Sequence, residues 1–262
     1  MNTTIIIRQI KEYTGAYGKA YTLLYLIGAV AILTSCVKDD LYDTPHPDKG
    51  AVTISLTGLS ADDNYVLDMD GKVADITGSP FTNPDLLNPG THSMVIYNRA
   101  EGFTFDGRMA RVNAPDGKSR ADGASVIPLP GYLKTVSQEI TVTADDTLRV
   151  NPVPQQRVRD LQLELEVTQG RPELIQSVTA TLSGIAGIFD MEKGQTIGEP
   201  TSTVFSFTRD GSKLTADARL LGTMGAVQTL VLDIVFTDGG RTQRTEVDLT
   251  EALADFNGDM TT

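Results

Sequence analysis

Apolar and polar residues alternate in four stretches of the chain: Val52 to Leu56, Leu161 to Val167, Leu214 to Leu220 and Thr245 to Leu249. A period of two puts one set of side chains on one face of an extended strand, so each stretch predicts a half-buried β-strand. "TLVLDIVF", 229–236, is apolar on nearly both faces and predicts a central strand covered on both sides. Turn signals punctuate these runs: "MDG" at 69–71, "NPG" at 88–90, "RDGS" at 209–212 and "TDGG" at 237–240. Beyond residue 36 no segment sustains a helical period, although Thr250 to Phe256 has room for one or two turns. The pattern predicts an all-β protein with strands spaced for sandwiches. "NPVPQQRVR", 151–159, holds two prolines and no alternation, so it is expected to link halves at 51–150 and 160–254, with a tail at 255–262. The polar stretch 106–125 is expected to be a loop within the first half, because a second linker there would leave pieces too small to bury a core.

The first 35 residues have a different character. Arg8, Lys11 and Lys19 stand against one acid, Glu12, and precede the uncharged run Thr22 to Leu33. Twelve helical residues span roughly 18 Å, against about 30 Å for a bilayer core. That length suits the apolar part of a secretory signal. Leu33, Thr34 and Ser35 then lead into Cys36, the only cysteine of the chain. This tetrapeptide resembles the bacterial lipobox, in which the thiol is acylated and the chain is cut just before it. Residues 1–35 are therefore expected to be a lipoprotein signal peptide, with Leu33, Thr34 and Ser35 as the peptidase recognition segment. Cys36 is the expected lipidation site, and 36–50 a tether with Pro45 and Pro47. A nucleophilic role for Cys36 would require a basic partner to lower its pKa, and no histidine lies near it in sequence. Lys38, Asp39 and Asp40 follow directly and resemble the surface-export signal of Bacteroidetes-type lipoproteins.

Charge narrows the picture further. The chain carries −12 at neutral pH, and about −14 without its leader. Nothing in this balance offers a phosphate-binding footprint, so nucleic acid is not an expected partner. Two histidines, His46 in the tether and His92 at the start of a strand, make neither a triad nor a zinc site. His92 reads as an ordinary strand residue. Asp68, Asp70 and Asp75 crowd around Gly71, but the glycine follows the second acid directly, which departs from a calcium loop. Neither a metal, a cofactor nor a catalytic residue is expected. A glycan site would favour flat aromatic platforms; the chain has no tryptophan, and Tyr65, Tyr97 and Tyr132 are the available substitutes.

The second half carries a more specific signal. "SVTATLSGIAGIFDMEKGQTIGEP", 177–200, with "TVFSFTRDGSKLTADARLLG" and "LVLDIVFTDGGRTQRTEVDLTEAL", resembles the FimB-type family of fimbrial anchor and minor-subunit lipoproteins of Bacteroidales. The resemblance covers about Leu161 to Leu253, and Leu182 to Gly194 is its most distinctive part. It implies two tandem transthyretin-like β-sandwich domains on a lipid anchor at the outer membrane, exposed at the cell surface and not enzymatic. It also implies fimbrial subunits as partners, joined by β-strand donation. Thr245 to Phe256 and Val52 to Leu56 are the candidate segments, with an internal strand as the plain alternative for each. The competing functional reading is a surface lipoprotein that captures a glycan or host ligand without forming fimbriae.

Overall fold

The computed structural model describes residues 48–57, 64–116 and 125–258. The expected leader, Leu33, Thr34, Ser35, Cys36, Lys38, Asp39 and Asp40 lie outside the described residues. Among the described residues eighteen strands follow in chain order. The first nine are β1 (Ala51–Ile54), β2 (Tyr65–Met69), β3 (Lys72–Asp75), β4 (Phe81–Thr82), β5 (Gly90–Asn98), β6 (Phe103–Asp106), β7 (Met109–Val112), β8 (Lys134–Val142) and β9 (Thr147–Val150). The second nine are β10 (Gln155–Gln156), β11 (Arg159–Glu166), β12 (Ile175–Ile185), β13 (Ile188–Asp190), β14 (Gln195–Ile197), β15 (Thr201–Asp210), β16 (Lys213–Leu220), β17 (Thr229–Phe236) and β18 (Thr242–Asp248). Among the described residues there is no α-helix, only a 3-10 turn at Pro172–Leu174. The protein is all-β.

The strands form four sheets, ordered β4-β1-β9, β10-β8-β5-β2-β3, β14-β13-β7-β6 and β11-β16-β15-β12-β17-β18. Pairing is antiparallel apart from β1 with β9 and one isolated parallel bridge, Val126 to Thr203. The three-stranded sheet supplies Val52 and Ile54 to a core shared with Leu67, Met94, Ile96 and Val142 of the five-stranded sheet. The other face of that sheet, with Val66, Val95 and Tyr97, joins a larger core containing Phe103, Ala110, Phe189 and Met191. The five-stranded sheet is therefore a middle layer. All five residues of β2 are buried, and so are the last five of β5. β17 departs from the covered strand its composition predicts. It is central, but Thr229, Val231, Asp233 and Val235 remain half-buried.

The two halves of the sequence share a sheet. Part of the polar stretch expected as a loop is the hairpin β6–β7, whose alternation is too short to stand out. β13 pairs with β7, with Ile188 opposite Arg111, Phe189 opposite Ala110 and Asp190 opposite Met109. The hairpin β13–β14 thus extends a sheet begun about 80 residues earlier. The distinctive motif carries this crossing. β12 ends in a bulge at Gly184, whose φ of +76° suits glycine and whose missing Cβ makes room for the Val227 carbonyl. Residues 184–191 are then buried without interruption. Within the expected linker, β10 pairs with β8, opposing Gln155 to Thr135 and Gln156 to Lys134.

A polar cluster ties the tips of these hairpins together. Arg108, in the β6–β7 turn, donates through Nε and Nη2 to Asp68 Oδ1 at 3.1 and 2.7 Å. Its Nη1 reaches Ser93 Oγ at 2.6 Å and Glu192 Oε1, in the β13–β14 turn, at 2.5 Å. Beside it His92 Nδ1 meets Asp70 Oδ2 at 2.5 Å, and His92 Nε2 lies 2.7 Å from the Asn88 carbonyl. His92 is therefore a paired residue, which a strand reading gives no hint of, because Asp70 approaches across the β2–β5 pairing. The hydrogen bond to Asp70 raises the His92 pKa above its ordinary value, against a smaller opposing effect of burial. For Asp70, burial pushes the pKa up, but hydrogen bonds from His92 and Ser93 outweigh it and leave it lowered. The acids near Gly71 each have a cationic neighbour: Asp68 has Arg108, Asp70 has His92, and Asp75 has Arg99 at 2.6 Å.

Two outcomes follow from this cluster. Arg108→Ala leaves Asp68, whose side chain is 4% exposed, buried without its cation, and is expected to destabilise by about 3–5 kcal/mol. Glu192→Gln, at a half-exposed acid, is expected to cost under about 1 kcal/mol. Urea unfolding of both variants checks the contrast, and equal losses would contradict it. The Asp70–His92 pair is complete only between the lowered pKa of the acid and the raised pKa of the base. Its contribution is present below the ordinary histidine pKa and lost as pH rises through the raised one. The melting difference between wild type and His92→Gln should therefore be larger near about pH 5.5 than near about pH 8.5. A difference independent of pH would refute the assignment.

Candidate functional site: the open side of the C-terminal sandwich

β15 turns a corner. Residues 201–207 pair with β12, whose bulge leaves only Gly184 unmatched, whereas Thr208, Arg209 and Asp210 pair with β16. A strand that switches partners in this way folds one ladder over on itself. One layer then runs β15-β12-β17-β18 and the other β16-β11, with a common core of Val178, Ala180, Leu182, Leu214, Ala216 and Leu230. Counting outward from the corner, the second layer is one strand shorter than the first.

Among the described residues both layers end in strands with an unpaired edge, β11 and β18. β11 alternates cleanly: Leu161 is buried, Leu163, Leu165 and Val167 are half-buried, and Gln162, Glu164 and Glu166 are exposed. Leu163, Leu165 and Val167 border the core together with Ile234 and Phe236 of β17. A half-buried apolar row beside an unpaired strand edge has the chemistry of a strand acceptor. The free N–H and C=O groups can receive a main chain, and the row can receive alternate side chains. The outward side is polar and internally paired: Lys213 meets Glu164 at 2.8 Å and Arg219 meets Asp160 at 3.2 Å. Arg241 lies over the Phe236 ring at 5.3 Å.

One end of this side is closed by the chain after β18. Asp248 Oδ1 accepts from the Thr250 N–H at 2.8 Å, and the hydrogen bonds from Thr250 hold its carboxyl below the usual range. Turns then carry Leu253 into the core and bring Phe256 against it. Asn257 clasps both main-chain groups of Thr223, while Arg159, the first residue of β11, donates to the Gly258 carbonyl and lies over Phe256. The tail therefore spans from the end of β18 to the start of β11.

The two segments expected to exchange strands sit very differently. β1 is flanked on both sides, by β4 and β9, and Val52 and Ile54 are fully buried. It has no edge to offer. β18 pairs along its whole length with β17 on one side and is open on the other. Of the tyrosines weighed as platforms, Tyr65 and Tyr97 are core residues, with Tyr97 stacked on Phe105 at 4.9 Å. Tyr132 is half-buried, its ring covered by the Arg219 guanidinium at 4.4 Å. Its hydroxyl donates to Asp160, and that bond raises its pKa. Among the described residues no group of three or more His, Cys, Asp or Glu side chains is arranged to hold a metal. The residues that the sequence reading passed over are Arg108, Ser93 and Glu192, and it gave Asp68 no cationic partner. Their only signal is spatial, since the partners lie up to 99 positions apart.

No protein-family model matches the chain, and no curated protein matches it. Solved structures do. A candidate adhesin from Bacteroides ovatus superposes with a TM-score of 0.63 at 19% identity, over 84% of this chain and 89% of that one. A second candidate adhesin from the same species gives 0.52 at 10% identity, over 79% and 77%. The fimbrial anchor protein Mfa2 from Porphyromonas gingivalis gives 0.53 at 12% identity, over 80% and 86%. Over most of its length, then, the chain has the fold of these Bacteroidales adhesin-like proteins and of a fimbrial anchor.

Proposed function

We propose that the protein is a surface-exposed outer-membrane lipoprotein that serves as an anchor or minor subunit of a fimbria. It is a binding and assembly protein, not an enzyme. Partner subunits join it by β-strand complementation at the open side of the C-terminal sandwich, next to β11. The observation that carries this reading is the short layer β16-β11, with its unpaired edge and the half-buried row Leu163, Leu165, Ile234 and Phe236. A donated strand would pair with β11 through its main chain and place every second side chain on that row. The fold shared with a fimbrial anchor and adhesin-like proteins supports the same reading. The N-terminal half is read as one transthyretin-like sandwich and the C-terminal half as another, with Cys36 carrying the lipid and Lys38, Asp39 and Asp40 directing surface display. Several acyl chains on one residue exceed the marginal binding of a single chain.

Two experiments test the reading. Extracted from its native outer membrane in mild detergent and run unboiled, the protein should appear in a high-mass band with other β-sandwich subunits that collapses to monomer on heating. Leu165→Lys, which puts a charge on the acceptor row, should abolish that band while the protein stays folded. A lone monomer from wild-type cells would overturn strand-mediated assembly. Separately, metabolic labelling with a fatty acid should mark the wild type and not Cys36→Ser, and equal labelling of the two would refute lipidation at that residue.

A further inference from the structure

The outward side of the short layer β16-β11 is acidic. Asp160, Gln162, Glu164 and Glu166 stand exposed along β11, and Lys213, Thr215 and Asp217 stand exposed beside them on β16, with Arg219 half-buried. Four carboxylates thus share two cations, and both cations are engaged. Arg219 meets Asp160 at 3.2 Å, and Lys213 meets Glu164 at 2.8 Å. The hydrogen bond to Glu164 raises the Lys213 pKa, and the charges of Glu164 and Glu166 add to it, so one lysine answers two acids. These acids also bar a second copy of β11. A two-fold antiparallel pairing that keeps the leucines inward centres on one residue, and each centre that engages most of the strand opposes like charges. Centred on Gln162 it sets Asp160 opposite Glu164, and centred on Leu163 it sets Asp160 opposite Glu166. Centred on Glu164 it sets that residue opposite itself, and centred on Leu165 it sets Glu164 opposite Glu166. Like charges directly opposite one another destabilise a ladder. The β18 strand of a second copy fits no better, since its residues on the Leu230–Leu232 side are Gln243, Thr245 and Val247.

Taking β11 as the acceptor proposed above, we infer that it selects a donor strand of a different subunit in which apolar residues alternate with lysine or arginine, and that it refuses a second copy of this chain. In such a pairing the apolar residues fall on the row of Leu163, Leu165, Ile234 and Phe236. The basic residues stand on the outward side, opposite Gln162, Glu164 and Glu166. Main-chain hydrogen bonds to an edge strand are alike for every donor sequence, so they give strength without choice. Charge on the outward side supplies the choice between donors and speeds their encounter, and like charges brought together there act against the wrong ones. The chain then joins other subunits without polymerising on itself.

The test is fluorescence anisotropy with the purified full-length protein in detergent and two dye-labelled peptides, KVTVKVTVK and EVTVEVTVE. They share the same inward valines and differ only in outward charge. The basic peptide should bind about tenfold or more tighter at low salt, and the gap should close as salt rises. Glu164→Lys combined with Glu166→Lys should reverse the preference. Both sites are exposed, so the double variant should keep the wild-type melting temperature. Leu165→Lys should lose both peptides. Sedimentation of the wild type should show a monomer. Equal binding of the two peptides, both lost in Leu165→Lys, would overturn charge selection and leave the acceptor standing. A preference for the basic peptide that survives the double variant would also overturn it, because the attraction would then belong to the chain's overall charge. A dimer abolished by Leu165→Lys would overturn the refusal of a second copy. Binding of neither peptide would overturn the acceptor together with its selectivity.

Discussion

The structure depends on one short piece of main-chain pairing, β13 against β7. Three residue pairs join strands from opposite halves of the sequence. They fix where a whole hairpin lies and which faces it covers. With that hairpin in place, Phe189 and Met191 close the core over Val66, Val95 and Tyr97. Without it, the outer face of the five-stranded sheet would show apolar side chains to water. Backbone pairing sets the register, and burial on both sides makes any slip costly, since a shift by one residue turns every side chain to the wrong face. Gly184 is the local condition for the crossing, because only a residue without a Cβ passes the Val227 backbone at that conformation. Arg108 then locks the tips from the polar side, touching β2, β5 and the β13–β14 turn together.

Rigidity at the joint has a counterpart in incompleteness elsewhere. The C-terminal ladder folds at β15 into layers of unequal width, so its apolar interior is sealed on the corner side and left half-buried beside β11. Edge strands are usually blunted by charge or by cover. β18 carries Arg244 and Glu246 and is almost wholly exposed, whereas the inward side of β11 is leucine and valine. The two edges differ in kind. One is protected and the other is open, and the tail from Thr250 to Gly258 covers only the end nearest Arg159. Arg159 thereby ties the tail that bounds the open side to the start of β11.

Much of this was legible in the sequence. Period-two alternation marks β1, β11 and β16, because a half-buried strand must alternate; it also marks β18, which is a strand but almost wholly exposed rather than half-buried, and the Asp-Gly turn at 70–71 appears as a hairpin with positive φ at both residues. The motif from Leu182 to Gly194 stands out as small residues and turns, and these are the residues the crossing needs. What the sequence leaves open is which strands meet. Alternation states that a strand has a buried face, not what covers it. β17 looks covered on both sides yet is half-open, and β2, with Asp68 in its middle, looks half-polar yet is buried throughout. Asp68 tolerates burial because Arg108 arrives from 40 positions away. The β6–β7 hairpin is too short to announce itself, and its register against β13 exists only once the halves dock. The all-β class and the turns were set by local chemistry alone. The shared sheet and the open edge of β11 were decided by tertiary structure, because each is made of groups that are distant in the chain and become neighbours only on folding.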